Sequence, residues 1–76
     1  MTKYKNLGGD SGVDGYEYGD DWIRVRFKDG DVYVYKSSRI GAKHLNTMKT
    51  LADSGKGLNA YINVNHYVRD GWSSKN

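Results

Sequence analysis

The sequence predicts an α+β domain: a small antiparallel three-stranded β-meander followed by one main helix and a short second helical turn. Three observations predict it. Trp22 to Phe27 alternates, with Ile23, Val25 and Phe27 on one face and Trp22, Arg24 and Arg26 on the other. Lys28-Asp29-Gly30-Asp31 then reads as a turn, and Val32 to Lys36 as a returning strand rich in β-branched and aromatic residues. Finally, Ile40, Leu45, Met48, Leu51 and Ala52 form an apolar stripe at helical spacing.

The remaining elements follow in chain order. Residues 1–12 are expected to form a flexible tail, because the stretch is glycine-rich and has no apolar periodicity. Val13 to Tyr18 is expected as the first strand, with Tyr16 and Tyr18 sharing a face, and Gly19-Asp20-Asp21 as the following turn. Ser37 and Ser38 are placed to cap the helix, Lys43, Lys49 and Asp53 fall on its wet side, and Gly55 is suited to a left-handed C-terminal cap. Leu58 to Ile62 is expected as the second helical turn and His66 to Arg69 as a last short strand. Residues 13–69 would make the single domain, and residues 70–76 would fray, although Trp72 is an odd residue to leave in water.

Composition narrows the possible functions. A chain of 76 residues is at most one domain, too short for a (β/α)8 barrel or a dinucleotide-binding fold. It has no cysteine, which removes disulfides, thiolate metal sites and cysteine nucleophiles. Leu, Ile, Val and Phe total only 14, so the seven tyrosines and two tryptophans must fill much of the core. No apolar run approaches a membrane span, and Met1 to Gly15 has no apolar leader segment, so a cytoplasmic protein without membrane contact is expected. Charge is uneven: residues 1–21 sum to −3 and residues 22–76 to +6, with the densest basic stretch between Arg24 and Lys49. A basic half attracts polyanions.

The hairpin register decides what the tyrosines do. A two-residue turn at Asp29-Gly30 pairs Phe27 with Val32 and puts Arg24 and Arg26 beside Tyr33 and Tyr35, a cationic aromatic platform of the kind that stacks bases. A three-residue turn with Gly30 as a bulge pairs Phe27 with Asp31 and sends Tyr33 and Tyr35 into the core with Ile23, Val25 and Phe27. One residue of slip exchanges the faces.

The run Ile23-x-Val25-x-Phe27-x-x-Gly30-x-x-Tyr33-x-Tyr35, with Gly57, Asn59 and Ile62 downstream, resembles the KTSC domain. That family occurs at the C-terminus of some lysyl-tRNA synthetases and as small bacterial proteins. The likeness spans roughly Val13 to Tyr67. It implies a small α+β fold and the bulged register, with those motif residues mostly in the core. It carries no established activity, but implies RNA or an RNA-associated protein as partner. Two features depart from it: Ser37 and Ser38 stand where relatives often have proline, and Ser11 to Val13 only loosely matches an N-terminal Ser-x-x-Ile element.

No catalytic set is visible. Gly9-Asp10-Ser11-Gly12 matches the string around a protease serine, but the chain is too short for that fold. His44 and His66 have no third ligand at metal spacing, and the aspartates at 10, 14, 20 and 21 do not follow a calcium loop. Gly55-Lys56-Gly57 lacks the order and the Ser/Thr of a phosphate loop, although Lys56 beside glycine amides could hold one phosphate oxygen. The expectation is therefore a binding module rather than an enzyme, with no metal and no cofactor. Trp22, Arg24, Arg26, Lys36, Arg39, Lys43 and Lys56 are the candidate RNA contacts. The rival is a protein–protein or homodimer module using Val32 and Val34 or an open edge strand.

Overall fold

The protein is described by a computed structural model covering residues 1–9 and 11–75. Asp10, in the Gly9–Gly12 string and the aspartate spacing, and Asn76, in the C-terminal tail, lie outside the described residues. The fold is α+β, with a five-stranded antiparallel sheet in which each strand pairs with its neighbour in sequence. The strands are β1 (Thr2–Lys3), β2 (Val13–Tyr18), β3 (Trp22–Phe27), β4 (Val32–Lys36) and β5 (Ser74–Lys75). Helices α1 (Ser37–Ile40), α2 (Ala42–Ser54), α3 (Leu58–Val64) and α4 (His66–Arg69) lie between β4 and β5.

The hairpin adopts the bulged register. Ile23 pairs with Tyr35 and Val25 with Tyr33, and the Phe27 N–H donates to the Asp31 carbonyl at 2.8 Å. Gly30 closes the turn at φ 97°, a left-handed value that costs glycine nothing. Ile23, Val25, Phe27, Tyr33 and Tyr35 consequently share the inner face, and Trp22, Arg24, Arg26, Val32, Val34 and Lys36 share the outer one. Against the inner face pack Leu45, Met48 and Ala52 of α2, Leu58 and Ile62 of α3, and Val68 of α4.

Both ends of the chain differ from expectation. The described residues of the expected tail, 1–9 and 11–12, do not form one. Thr2 and Lys3 extend the sheet along β2, and Tyr4 is only 2% exposed. The Tyr4 hydroxyl accepts the Leu58 N–H at 3.2 Å, and the Leu7 N–H donates to the Gly55 carbonyl at 2.8 Å. The physical reason is burial: one large aromatic, fully enclosed, offsets the ordering of a short polar arm. At the other end, residues 70–75 do not simply fray, because Ser74 and Lys75 pair with Val34 and Tyr33.

The helical half is also subdivided. The expected main helix is broken at Gly41, whose φ of 87° and ψ of 152° are not helical, so Ile40 belongs to the separate α1. The apolar stripe survives because periodicity counts faces and is blind to a change of axis. Neither serine caps it by its side chain: Lys36 holds the N-cap position, and the Ser37 N–H donates to the Asp21 carbonyl at 3.0 Å, extending the β3–β4 pairing. His66 to Arg69 is helix rather than strand, begun by Asn65, whose backbone and side-chain N–H groups both donate to the Tyr61 carbonyl. Four residues are too few to separate the two periods, and Val68 is inward either way. Gly55 takes the left-handed cap at φ 75°.

Asp53, expected on the wet side of α2, ties that helix to β2. Its two carboxylate oxygens accept from the Tyr16 hydroxyl at 2.8 Å and the Tyr18 hydroxyl at 2.6 Å. The Tyr18 and then the Tyr16 hydrogen bond hold Asp53 below the usual carboxylate value, despite some desolvation. Burial, and then Asp53, push Tyr16 up to about 12. The Asp53 contribution is therefore complete above the unfolded carboxylate value near pH 4 and is lost as pH falls through the lower folded value. The Tyr16 contribution is complete below about pH 10 and is lost as pH rises through the folded value. Thermal melts are expected to fall on both limbs, with Asp53→Asn flattening the acid one. An acid limb unchanged by Asp53→Asn would remove this tie as its source.

Candidate ligand cleft

The expected basic face is present but largely neutralised. On the outer face, Trp22, Arg24, Arg26 and Lys36 sit together, with the Arg24 guanidinium 5.3 Å from the Trp22 ring centre. A β-bulge between Val13 and Gly15 brings the acids of β2 beside β3. Arg24 Nη1 meets Glu17 Oε1 at 2.6 Å, and Arg26 Nε meets Asp14 Oδ2 at 2.9 Å. Both pairs are partly exposed, so they add little stability, but they cancel most of the field the arginines would project. Val32 and Val34, candidates for a protein contact, are half-buried on the same face.

The other candidate cations are not gathered there. Arg39 lies on α1 and Lys43 on α2, both exposed, in the layer that covers the inner face. Lys56 is exposed in the turn between α2 and α3. The phosphate idea at Lys56 is weakened further, because the Leu58 amide beside it already donates to Tyr4. His44 shares a 2.6 Å hydrogen bond with the Tyr61 hydroxyl, and His66 is exposed on α4. Among the described residues no three histidine or carboxylate side chains gather at a possible metal site.

The motif residues converge elsewhere. Ile23, Val25, Tyr35 and Ile62 are buried, Phe27 and Tyr33 are partly buried against them, and Gly57 opens α3 at φ 87°. Phe27, Tyr33, Tyr35, Asn59 and Ile62 all line one open cleft of about 620 Å³ between the inner sheet face and α3–α4. That volume lies within the roughly 300–1,000 Å³ of small-ligand sites. One wall is aromatic. Tyr33 stacks beside Tyr35 at 6.4 Å between ring centres and meets Phe27 edge-on at 5.5 Å. Trp72, 38% exposed, closes edge-on against Tyr33 at 5.6 Å.

The facing wall is polar. Successive turns of α3 carry Asn59 and Asn63 into the cleft. Among the described residues neither side-chain amide has a hydrogen-bond partner. Lys28 and Arg69 stand at the mouth with Asp29 and Asp70; Arg69 reaches its neighbour Asp70 only at 3.4 Å, and Lys28 is in no ion pair among the described residues. Lys75 lies 5.4 Å from the centre of the Tyr33 ring and 3.6 Å from Asp31. Burial, helped by the adjacent Tyr33, pushes the Tyr35 hydroxyl up, so it is a neutral phenol at every ordinary pH. The arrangement offers flat apolar surface, uncharged hydrogen-bonding groups and cations at the entrance.

Sequence reasoning missed Asn63, Lys28 and Arg69 as parts of this cleft. It singled out Trp72 only as out of place in solvent, and that was the available signal. No family model, no curated protein and no solved structure matches this chain. No helix among the described residues is long and apolar enough to cross a membrane.

Proposed function

We propose that the chain is a KTSC-like binding module, without enzymatic activity, that holds single-stranded RNA weakly, with a base entering the aromatic cleft. One observation carries the reading. Phe27, Tyr33, Tyr35 and Trp72 line a single cleft together with the side-chain amides of Asn59 and Asn63. Aromatic side chains that accept stacked bases are the common device of single-strand recognition, each worth about 1–3 kcal/mol by alanine substitution. Lys28 and Arg69 at the mouth are placed for phosphate, and the net charge of +3 favours a polyanion. Arg24 and Arg26, each engaged by a carboxylate, contribute less to this reading than their positions in the sequence promised.

The test is a heteronuclear NMR titration of labelled protein with short single-stranded RNA at low and moderate salt. The Trp72 indole and the Tyr33, Asn59 and Asn63 signals should move, and the affinity should weaken with salt. Tyr33→Ala and Trp72→Ala should each lower affinity about tenfold. Movement confined to Trp22, Arg24, Arg26 and Lys36 would move the site to the outer face. An unmoved spectrum would remove RNA as the ligand and leave a second copy or another protein on Val32 and Val34 as the reading to pursue.

A further inference from the structure

A second hollow, of about 410 Å³, adjoins the aromatic cleft, and Asn59 and Asn63 line both. On α3, Ile62 lines the cleft and Ala60 the second hollow, so the two asparagines form the ridge between them. The loop opposite divides along the same line: Ser11 belongs to the second hollow and Gly12 to the cleft. Gly12 keeps the ridge low. A Cβ built on it would stand 3.7 Å from the Asn59 side chain, so a longer side chain would rise over the crossing. Asn59 and Asn63 are four residues apart on α3, about 6 Å along the helix axis. A ridge of that length is short enough for one nucleotide to straddle.

The chemistry changes across the ridge. The cleft presents the accessible rings of Phe27, Tyr33 and Trp72. The second hollow presents no such ring: Tyr4, its one aromatic residue among those described, is 2% exposed. Its surface comes from the backbone of Gly8 and Gly57, from Asn6 and Ser11, and from Lys56, its one charged side chain among the described residues. Lys56 is exposed and in no ion pair among those residues. The Leu58 amide is engaged by Tyr4, so the attraction for an anion comes from the Lys56 ammonium and not from the start of α3. One ammonium among small polar groups suits a phosphate with its sugar rather than a planar ring. Single-strand binders combine the same two parts, aromatic faces for bases and cations along the backbone.

We propose that the two hollows form one site for a nucleoside and its adjoining phosphate: the base stacks in the cleft, the ribose crosses the ridge at Asn59, and the phosphate meets Lys56. This deepens the RNA reading and rests on it. The second hollow makes the phosphate a recognised part of the ligand, so a nucleotide binds more tightly than the bare nucleoside. Lys28 and Arg69, at the mouth of the cleft, then face the next phosphates along the strand.

The experiment titrates adenosine, adenosine 3′,5′-bisphosphate and a short mixed-sequence RNA into the wild type, Lys56→Ala, Lys56→Arg and Gly12→Leu, following NMR shifts. Adenosine should move the Tyr33 and Trp72 signals and leave Gly8 and Ala60 still. The bisphosphate and the RNA should move all four. Lys56→Ala should weaken the bisphosphate about fivefold and leave adenosine unchanged, and Lys56→Arg should restore the loss. Gly12→Leu, at a φ outside the left-handed region, should weaken the bisphosphate and keep Gly8 and Ala60 still. Gly8 and Ala60 signals that stay still with both the bisphosphate and the RNA, or binding unchanged by Lys56→Ala, overturn the second subsite. If the RNA moves the cleft signals in that case, the RNA reading stands. Movement at Gly8 and Ala60 without movement in the cleft overturns the proposal as well, because the hollows would not be one site. If no ligand moves either set of signals, the subsite and the RNA reading both fail.

Discussion

Tyr4→Ala is expected to unfold most of the protein at room temperature. The side chain is enclosed by the core, and truncating a buried aromatic to alanine costs about 3–5 kcal/mol. It also leaves the buried Leu58 amide, the donor to Tyr4, without its partner. A domain this small holds roughly 3–5 kcal/mol in all. Tyr4→Phe keeps the ring and removes only the acceptor, so about 1–3 kcal/mol is expected. Urea titration followed by tryptophan fluorescence reads both. A Tyr4→Ala midpoint within about 1 kcal/mol of wild type would mean that the arm is dispensable and the core closes without it.

That arm was the least legible part of the sequence. A two-residue strand has no periodicity to read, and Tyr4 stands alone between lysines. Its partner, Leu58, is 54 residues away. The β3–β4 hairpin was legible for the opposite reason. Its strands alternate over five or six residues, its turn contains a glycine, and only two registers compete. The choice between them rested on a likeness of motif, and the Phe27–Asp31 pairing at Gly30 agrees with the bulged one.

Charge was read along the chain, whereas it acts in space. The acidic first segment and the basic remainder suggested an exposed cationic face. Antiparallel pairing instead lays Glu17 beside Arg24, and the bulge lays Asp14 beside Arg26. The two halves meet and cancel across one pair of strands. The cleft was half legible: Phe27, Tyr33, Tyr35, Asn59 and Ile62 were all singled out, though as packing residues. Its other half, Asn63, Arg69 and Trp72, depends on the turn at Asn65 that starts α4 and returns the chain to the sheet, which no short window of sequence specifies.

Gly55→Ala is expected to cost about 2–4 kcal/mol, from two separable sources. The first is the backbone. At φ 75° a side chain is disfavoured by about 1–2 kcal/mol. The second is the arm. A Cβ built on Gly55 would overlap the Lys5 Cβ, where the N-terminal segment crosses the end of α2. Gly57 provides the control, since at φ 87° and ψ −4° it is also left-handed and a Cβ there makes only an ordinary van der Waals contact with Leu51 at 3.6 Å. Gly57→Ala should therefore show the backbone cost alone, about 1–2 kcal/mol. Lys5→Gly removes the colliding atom, so in that background Gly55→Ala should fall to the Gly57→Ala value. The non-additivity, read by urea titration of the four variants of the cycle, measures how firmly the arm is pressed onto the helix end. If Gly55→Ala costs no more than Gly57→Ala in the wild-type background, the arm yields freely at Lys5. Its anchoring would then reside in the β1–β2 pairing, Tyr4 and the Leu7–Gly55 hydrogen bond.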